Sequence, residues 1–231
     1  MIREEVRERI REIGIVPAIR VSTAEDAYFA AEAVTLGGIP IVEVTMTVPD
    51  AMKVISALIR NYPELIVGAG TVLEIELARQ CRDAGVQFLT STGLDLDIVD
   101  FAVKENIVVL AGAMTPTEIM RAWKAGADFV KVFPCSQVGG PSYIRTLKAP
   151  FPHISLIASG GVNQQNASDF IRAGSSALGI GHDLIPQIAI ERHQDHRIRE
   201  LARRYVSIVK SARAILESNQ TEVHPHGSAR D

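Results

Sequence analysis

Lys131 carries the sharpest chemical signal in this chain. It stands inside Asp128-Phe129-Val130-Lys131-Val132-Phe133-Pro134, a run that otherwise reads as a buried β-strand. Lysine is among the residues least often buried, and desolvation disfavours the charged form of any amine. A neutral amine can add to a carbonyl, form a Schiff base and use the resulting iminium as an electron sink. The competing reading is a lysine that snorkels past the strand end to water. A second candidate lies in Val42-Glu43-Val44-Thr45, where strand alternation puts Glu43 and Thr45 on one face. A carboxylate there is either an ion partner for the lysine or a general acid/base. Cys135, just past Phe133-Pro134, either lines the same site or fills the core as a small hydrophobe.

Positioning these groups takes a scaffold, and the chain alternates short β-branched runs with helical-period segments, the βα signature. The expected strands are 15–21, 39–46, 65–70, 86–91, 107–113, 127–133, 154–159 and 177–181. The expected helices between them are 23–36, 49–61, 74–84, 95–105, 116–125 and 164–173, with an amphipathic helix in front over 1–13 and a long closing helix over 197–217. Ser22 or Thr23 suits an N-cap, Pro116 an N1 position, and Gly37, Gly85, Gly126 and Gly174 suit C-terminal stops. About eight such units in this length predict an α/β fold of the TIM (β/α)8 barrel type with an extra N-terminal helix. A doubly wound open sheet is the runner-up, but no Gly-x-Gly-x-x-Gly turn follows the first strand. The expected organisation is a single barrel domain over 1–217 and a solvated tail over 218–231, whose His224 and His226 read as tail composition rather than metal ligands.

Barrel enzymes use the C-terminal ends of their strands. Here those ends are polar: Arg20; Glu43, Thr45 and Thr47; Gly70-Thr71; Ser91-Thr92; Met114-Thr115; Lys131; Ser159-Gly160-Gly161; and Gly179-Ile180-Gly181-His182. Glycine turns after strands seven and eight are where barrels commonly hold a phosphate, although such turns also arise wherever the backbone needs positive φ. His182 and Asp183 read as contacts for a polar substrate end. No trio of His, Asp and Glu at the strand ends has metal-ligand spacing, so no metal and no cofactor is expected.

Composition narrows the class. Of 231 residues, 47% are apolar and 22% charged, which fits a globular protein and excludes a disordered or collagen-like one. No apolar run approaches the roughly 20 residues a membrane span needs, and the N-terminal segment reads as an amphipathic helix rather than a signal peptide, so a cytoplasmic protein is expected. A net charge of -3 with scattered basic residues gives no footprint for nucleic acid. Cys81 and Cys135 lie far apart, as expected of reduced thiols.

The motifs Val42-Glu43-Val44-Thr45, Gly68-Ala69-Gly70-Thr71-Val72-Leu73, Thr115-Pro116-Thr117-Glu118, Lys131-Val132-Phe133-Pro134 and Ser159-Gly160-Gly161-Val162 together make the chain resemble the 2-keto-3-deoxy-6-phosphogluconate (KDPG) / 4-hydroxy-2-oxoglutarate (KHG) aldolase family. The similarity covers nearly all of 12–214. It implies a class I aldolase that cleaves a 2-keto-3-deoxy sugar acid, first of all 2-keto-3-deoxy-6-phosphogluconate or 4-hydroxy-2-oxoglutarate and in the alternative an unphosphorylated or galactonate-type acid, to pyruvate and an aldehyde, working as a metal-free homotrimer. By resemblance Lys131 forms the Schiff base, Glu43 shuttles protons, Thr71 helps hold the pyruvyl carboxylate, and Phe133 packs beside the imine. Three positions depart from the family pattern. Thr47 replaces a frequent arginine, Ser91-Thr92-Gly93 replaces Ser-Pro-Gly, and His182 replaces a serine used for phosphate. Arg20 is the expected substitute cation, an arrangement also found in relatives acting on the galactonate epimer. Two other readings keep the barrel: a phosphosugar epimerase or isomerase without a lysine imine, and a keto-acid-binding barrel without turnover.

Overall fold

Strands that are apolar on both faces belong in a parallel sheet with helices outside and packed side chains inside. The chain has eight such strands. In the computed structural model, which describes residues 1–222, with 219–222 by backbone alone, they pair in chain order and close into a parallel barrel. They are β1 (Ile15–Ile19), β2 (Ile41–Thr45), β3 (Ile66–Gly70), β4 (Phe88–Thr90), β5 (Val108–Ala113), β6 (Phe129–Val132), β7 (Leu156–Ser159) and β8 (Ala177–Ile180). The helices are α1 (Arg3–Ile13), α2 (Ala24–Leu36), α3 (Ala51–Asn61), α4 (Ile75–Asp83), α5 (Leu96–Lys104), α6 (Pro116–Lys124), α7 (Gly140–Lys148), α8 (Ala167–Arg172), α9 (Gln187–Glu191) and α10 (Asp195–Glu222).

Local signals set several helix edges. Thr23 Oγ1 accepts the Asp26 N–H at 3.0 Å to start α2. Thr115 and Glu118 form a reciprocal capping box before Pro116 at the start of α6. Backbone N–H groups of Thr115 and Met114 hold the Glu118 carboxyl below its usual pKa.

Gly37 caps the C-terminus of α2 as expected, at φ -78°, with Gly38 following at φ +98°. Three sequence expectations need correction. α8 begins at Ala167 rather than 164, because Asn163 Oδ1 accepts the N–H groups of Gln165 and Asn166 in a turn that precedes the helix. α7 and α9 have no counterpart among the expected helices; the Gly139-Gly140-Pro141 lead-in of α7 reads as a loop, yet Ile144 and Leu147 bury its inner face. The closing helix runs on to Glu222 rather than ending at 217, so 218–222 is helical. The rest of the expected tail, 223–231, lies outside the described residues, as do His224 and His226.

One end of the barrel is plugged and the other is open. α1 crosses the N-terminal end with Val6 and Ile10 buried. Its Arg3 meets Asp128 at 2.8 Å just before β6, and its Arg11 donates to Ser155 Oγ at 3.0 Å just before β7. α10 packs on α2 and α8 and completes the outer ring, with Ala202 against the Cα of Gly37. No helix among the described residues is long and apolar enough to cross a membrane.

Candidate active site

Period-two alternation and the ladder register decide which side chains enter the barrel. Ala18 pairs with Glu43, Glu43 with Gly68, and Gly112 with Lys131, so Glu43 and Lys131 share the interior face. Both are buried, Lys131 at 9% and Glu43 at 3% exposure. Lys131 Nζ lies 4.0 Å from Glu43 Oε1, an ion pair too long for a hydrogen bond, so the amine is not locked to the carboxylate. The amine also sits 5.7 Å from the centre of the Phe133 ring. Lys131 has not escaped to water, and the snorkelling alternative falls away.

Glu43 owes its place to Gly70. A Cβ on Gly70 would lie 2.0 Å from Glu43 Oε1, so the carboxylate fills the space a side chain there would take. Beyond Gly70, Thr71 adopts φ +58°, rare for a β-branched residue and costing roughly 1–3 kcal/mol. Its Oγ1 accepts from Arg20 Nη2 at 3.0 Å, and Arg20 Nη1 donates to Thr47 Oγ1 at 3.2 Å. Thr45 ties this group to β1, with Oγ1 donating to the Ile19 carbonyl at 3.0 Å and lying 2.8 Å from Thr47 Oγ1. An arginine backed by hydroxyls has the chemistry to hold a carboxylate.

Across the mouth, the turn after β7 is built by Gly160 and Gly161 at φ 87° and 82°. Glycine is required here twice over: besides the positive φ, a Cβ on Gly161 would lie 2.4 Å from Ser136 Oγ. Backbone N–H groups of Cys135 and Ser136 donate to the carbonyls of Ser159 and Gly160, and Asn166 Nδ2 donates to that of Gly161. The turn is thereby fixed against the segment after β6. After β8 come Gly181, His182 and Asp183, with His182 Nε2 3.0 Å from Asp183 Oδ2.

These groups enclose one pocket of about 440 Å³, whose lining includes Arg20, Glu43, Lys131, Phe133, Ser159, Gly160, Gly161, Gly181, His182 and Asp183. Thr47 and Thr71 line an adjoining groove with Met46, Leu73 and Leu77. Ser91 and Thr92 are not among the residues lining this pocket: Ser91 Oγ accepts the Gly112 N–H at 3.0 Å, a link between the end of β4 and β5, and the Thr92 carbonyl lies against Gly112, the register partner of Lys131. Cys135 is fully buried, and burial pushes its thiol up to about 12, so the small-hydrophobe reading holds. Among the described residues no cluster of three or more His, Cys, Asp or Glu could hold a metal ion. Sequence reasoning missed Thr90, fully buried with an unpartnered hydroxyl on the strand next to Gly70. A threonine among apolar strand residues was the signal that could have found it.

The chain resembles known proteins throughout this region. The family model described as KDPG and KHG aldolase matches residues 6–201. The KHG/KDPG aldolase of Escherichia coli K12 is 34% identical over 197 residues, which is 85% of this chain and 92% of that protein. A crystal structure of the KDPG aldolase from Legionella pneumophila, with pyruvate captured at low pH as a covalent carbinolamine intermediate, superposes with a TM-score of 0.80. It is 28% identical, covering 86% of this chain and 96% of the other. A cube-shaped protein cage designed by fusing symmetric oligomeric domains superposes at 0.79 with 30% identity, covering 90% of this chain and 76% of that one. The chain belongs to the KDPG and KHG aldolase family, carbon–carbon lyases that cleave a 2-keto acid to pyruvate and an aldehyde.

Proposed function

We propose that the chain is a class I aldolase in which Lys131 is the imine-forming nucleophile and Glu43 the proton shuttle. The observation that carries this reading is the pairing of a buried amine and a buried carboxylate 4.0 Å apart in the pocket. Lys131 is the sole primary amine among the residues lining it. Its Nζ adds to the C2 carbonyl of the keto acid to give a carbinolamine, which loses water to an iminium. The iminium draws in the electrons of the C3–C4 bond as Glu43, directly or through water, removes the C4 hydroxyl proton. The aldehyde leaves and an enamine remains. Protonation at C3 and hydrolysis then release pyruvate and free Lys131. A carbinolamine arises when an amine adds to a carbonyl, so the intermediate captured in the Legionella relative supports this route.

In this reading Arg20, with Thr71 and Thr47, holds the C1 carboxylate, with Thr45 and Gly70 shaping that clamp, and Phe133 packs beside the imine. Ser159, Gly160, Gly161, Gly181 and His182 receive the far end of the substrate. Ser91 and Thr92 act as supports for the strand ends rather than as contacts. We further read the protein as a cytoplasmic homotrimer. Support for a second copy comes from the groove of Met46, Leu73 and Leu77, where Leu73 is 57% exposed, and from the oligomeric domains of the cage relative. A pyruvate-release screen with 2-keto-3-deoxy sugar acids and 4-hydroxy-2-oxoglutarate tests the activity. Turnover of at least one is expected, and release from none would overturn the reading.

A further inference from the structure

The substrate's orientation in the pocket follows from its charges. Arg20 is turned toward β2 and β3 by its bonds to Thr47 and Thr71, so the C1 carboxylate belongs there and C2 at Lys131. The remaining carbons must run toward the turns after β7 and β8. At that end the ionisable lining residues are His182 and Asp183, and they are committed to each other at 3.0 Å. The imidazole is 86% exposed and reaches into solvent, whereas the carboxylate, 32% exposed, is the one drawn in toward the protein. The one arginine among the residues lining the pocket is Arg20, whose Nη atoms are turned to Thr47 and Thr71, and the one lysine is Lys131, placed at C2 in this reading. A phosphate dianion placed at the turns after β7 and β8 would meet a carboxylate and a histidine already paired with it. A hydroxylated, uncharged tail would meet carboxylate oxygens able to accept hydrogen bonds, the Ser159 hydroxyl and the Gly160-Gly161 turn.

We infer that Asp183 selects an uncharged polyol tail, making the preferred substrate an unphosphorylated 2-keto-3-deoxy sugar acid whose aldehyde product is a hydroxyaldehyde rather than its phosphate ester. This rests on the imine reading above and deepens it. The reaction that supplies such a substrate is dehydration of an unphosphorylated sugar acid, since loss of water across C2 and C3 yields the 2-keto-3-deoxy acid.

The test compares kcat/KM for the phosphorylated and unphosphorylated forms of one 2-keto-3-deoxy hexonate, in the wild-type enzyme and in Asp183→Asn and Asp183→Ser. One charge-assisted hydrogen bond, made or broken, corresponds to on the order of tenfold or more. The wild type should favour the unphosphorylated acid by about tenfold or more, and both variants should narrow that ratio at least several-fold. Preference of the wild type for the phosphorylated acid, or an unchanged ratio in a variant, overturns the inference. Pyruvate has no tail, so its borohydride trapping reports separately on the imine. Trapping without cleavage of either acid overturns the tail assignment alone, whereas absence of trapping overturns the imine reading. A variant that fails to fold shows no trapping while the wild type does, and the wild-type ratio then decides.

Discussion

At the reactive end, Lys131 and Glu43 are buried side chains on the interior face of closed strands, whereas at the tail end His182 and Asp183 stand on a loop, partly in solvent and paired with each other. The strand groups are placed by ladder register, which moves only if the whole barrel moves. The loop groups can be exchanged without touching the ladder, and loops are where barrels vary their specificity. On the reading proposed above, the bond cleaved and the tail recognised are set by separate parts of one pocket. Substitutions at the reactive end should therefore lower turnover of every substrate alike, and those at the tail end should change only the ranking.

The largest effect is expected from Lys131→Arg and Lys131→Met. A guanidinium stays protonated and a thioether is no amine, so neither forms the imine, and pyruvate release should fall to background for all keto acids while circular dichroism stays native. Substantial release by either variant would break the division of labour. Glu43→Gln comes next: losing a positioned proton shuttle costs about 10²- to 10⁴-fold in kcat, equally for each substrate, with pyruvate trapping retained. A nearly unchanged kcat would reduce Glu43 to a structural partner of the lysine.

Gly70→Ala gives the smallest of the three and the sharpest comparison, because it acts through the position of Glu43. Its Cβ would lie 2.0 Å from Glu43 Oε1 and must displace the carboxylate. A misplacement of this kind can cost on the order of 10²-fold in kcat, and the overpacking about 1–3 kcal/mol in stability. Denaturant melts and kinetics with two different keto acids separate the two effects; unequal losses between the acids would show that the ends are coupled.

The sequence made the reactive end legible for a physical reason. A lysine and a glutamate inside β-branched runs violate the strand pattern, and a violated pattern points to use. All eight strands are readable from the same runs, within a few residues at their edges. What stays hidden depends on contacts between distant segments. Gly70 reads as one more glycine until Glu43 is seen lying over it, and Arg20 shows its direction only through Thr47 and Thr71. The bond that Ser91 Oγ accepts from the Gly112 N–H is likewise invisible in the sequence, because it joins segments 21 residues apart. α7 is concealed by its Gly-Gly-Pro entry, where turn punctuation outweighs the buried Ile144 and Leu147 that hold the helix down.

The imine itself is the central claim, and borohydride reduction in the presence of pyruvate tests it most directly. Reduction should fix a pyruvyl adduct covalently, and peptide mass mapping should place it on Lys131 alone, with none formed in Lys131→Arg. An adduct on another lysine, or full turnover with no adduct at all, would contradict the account.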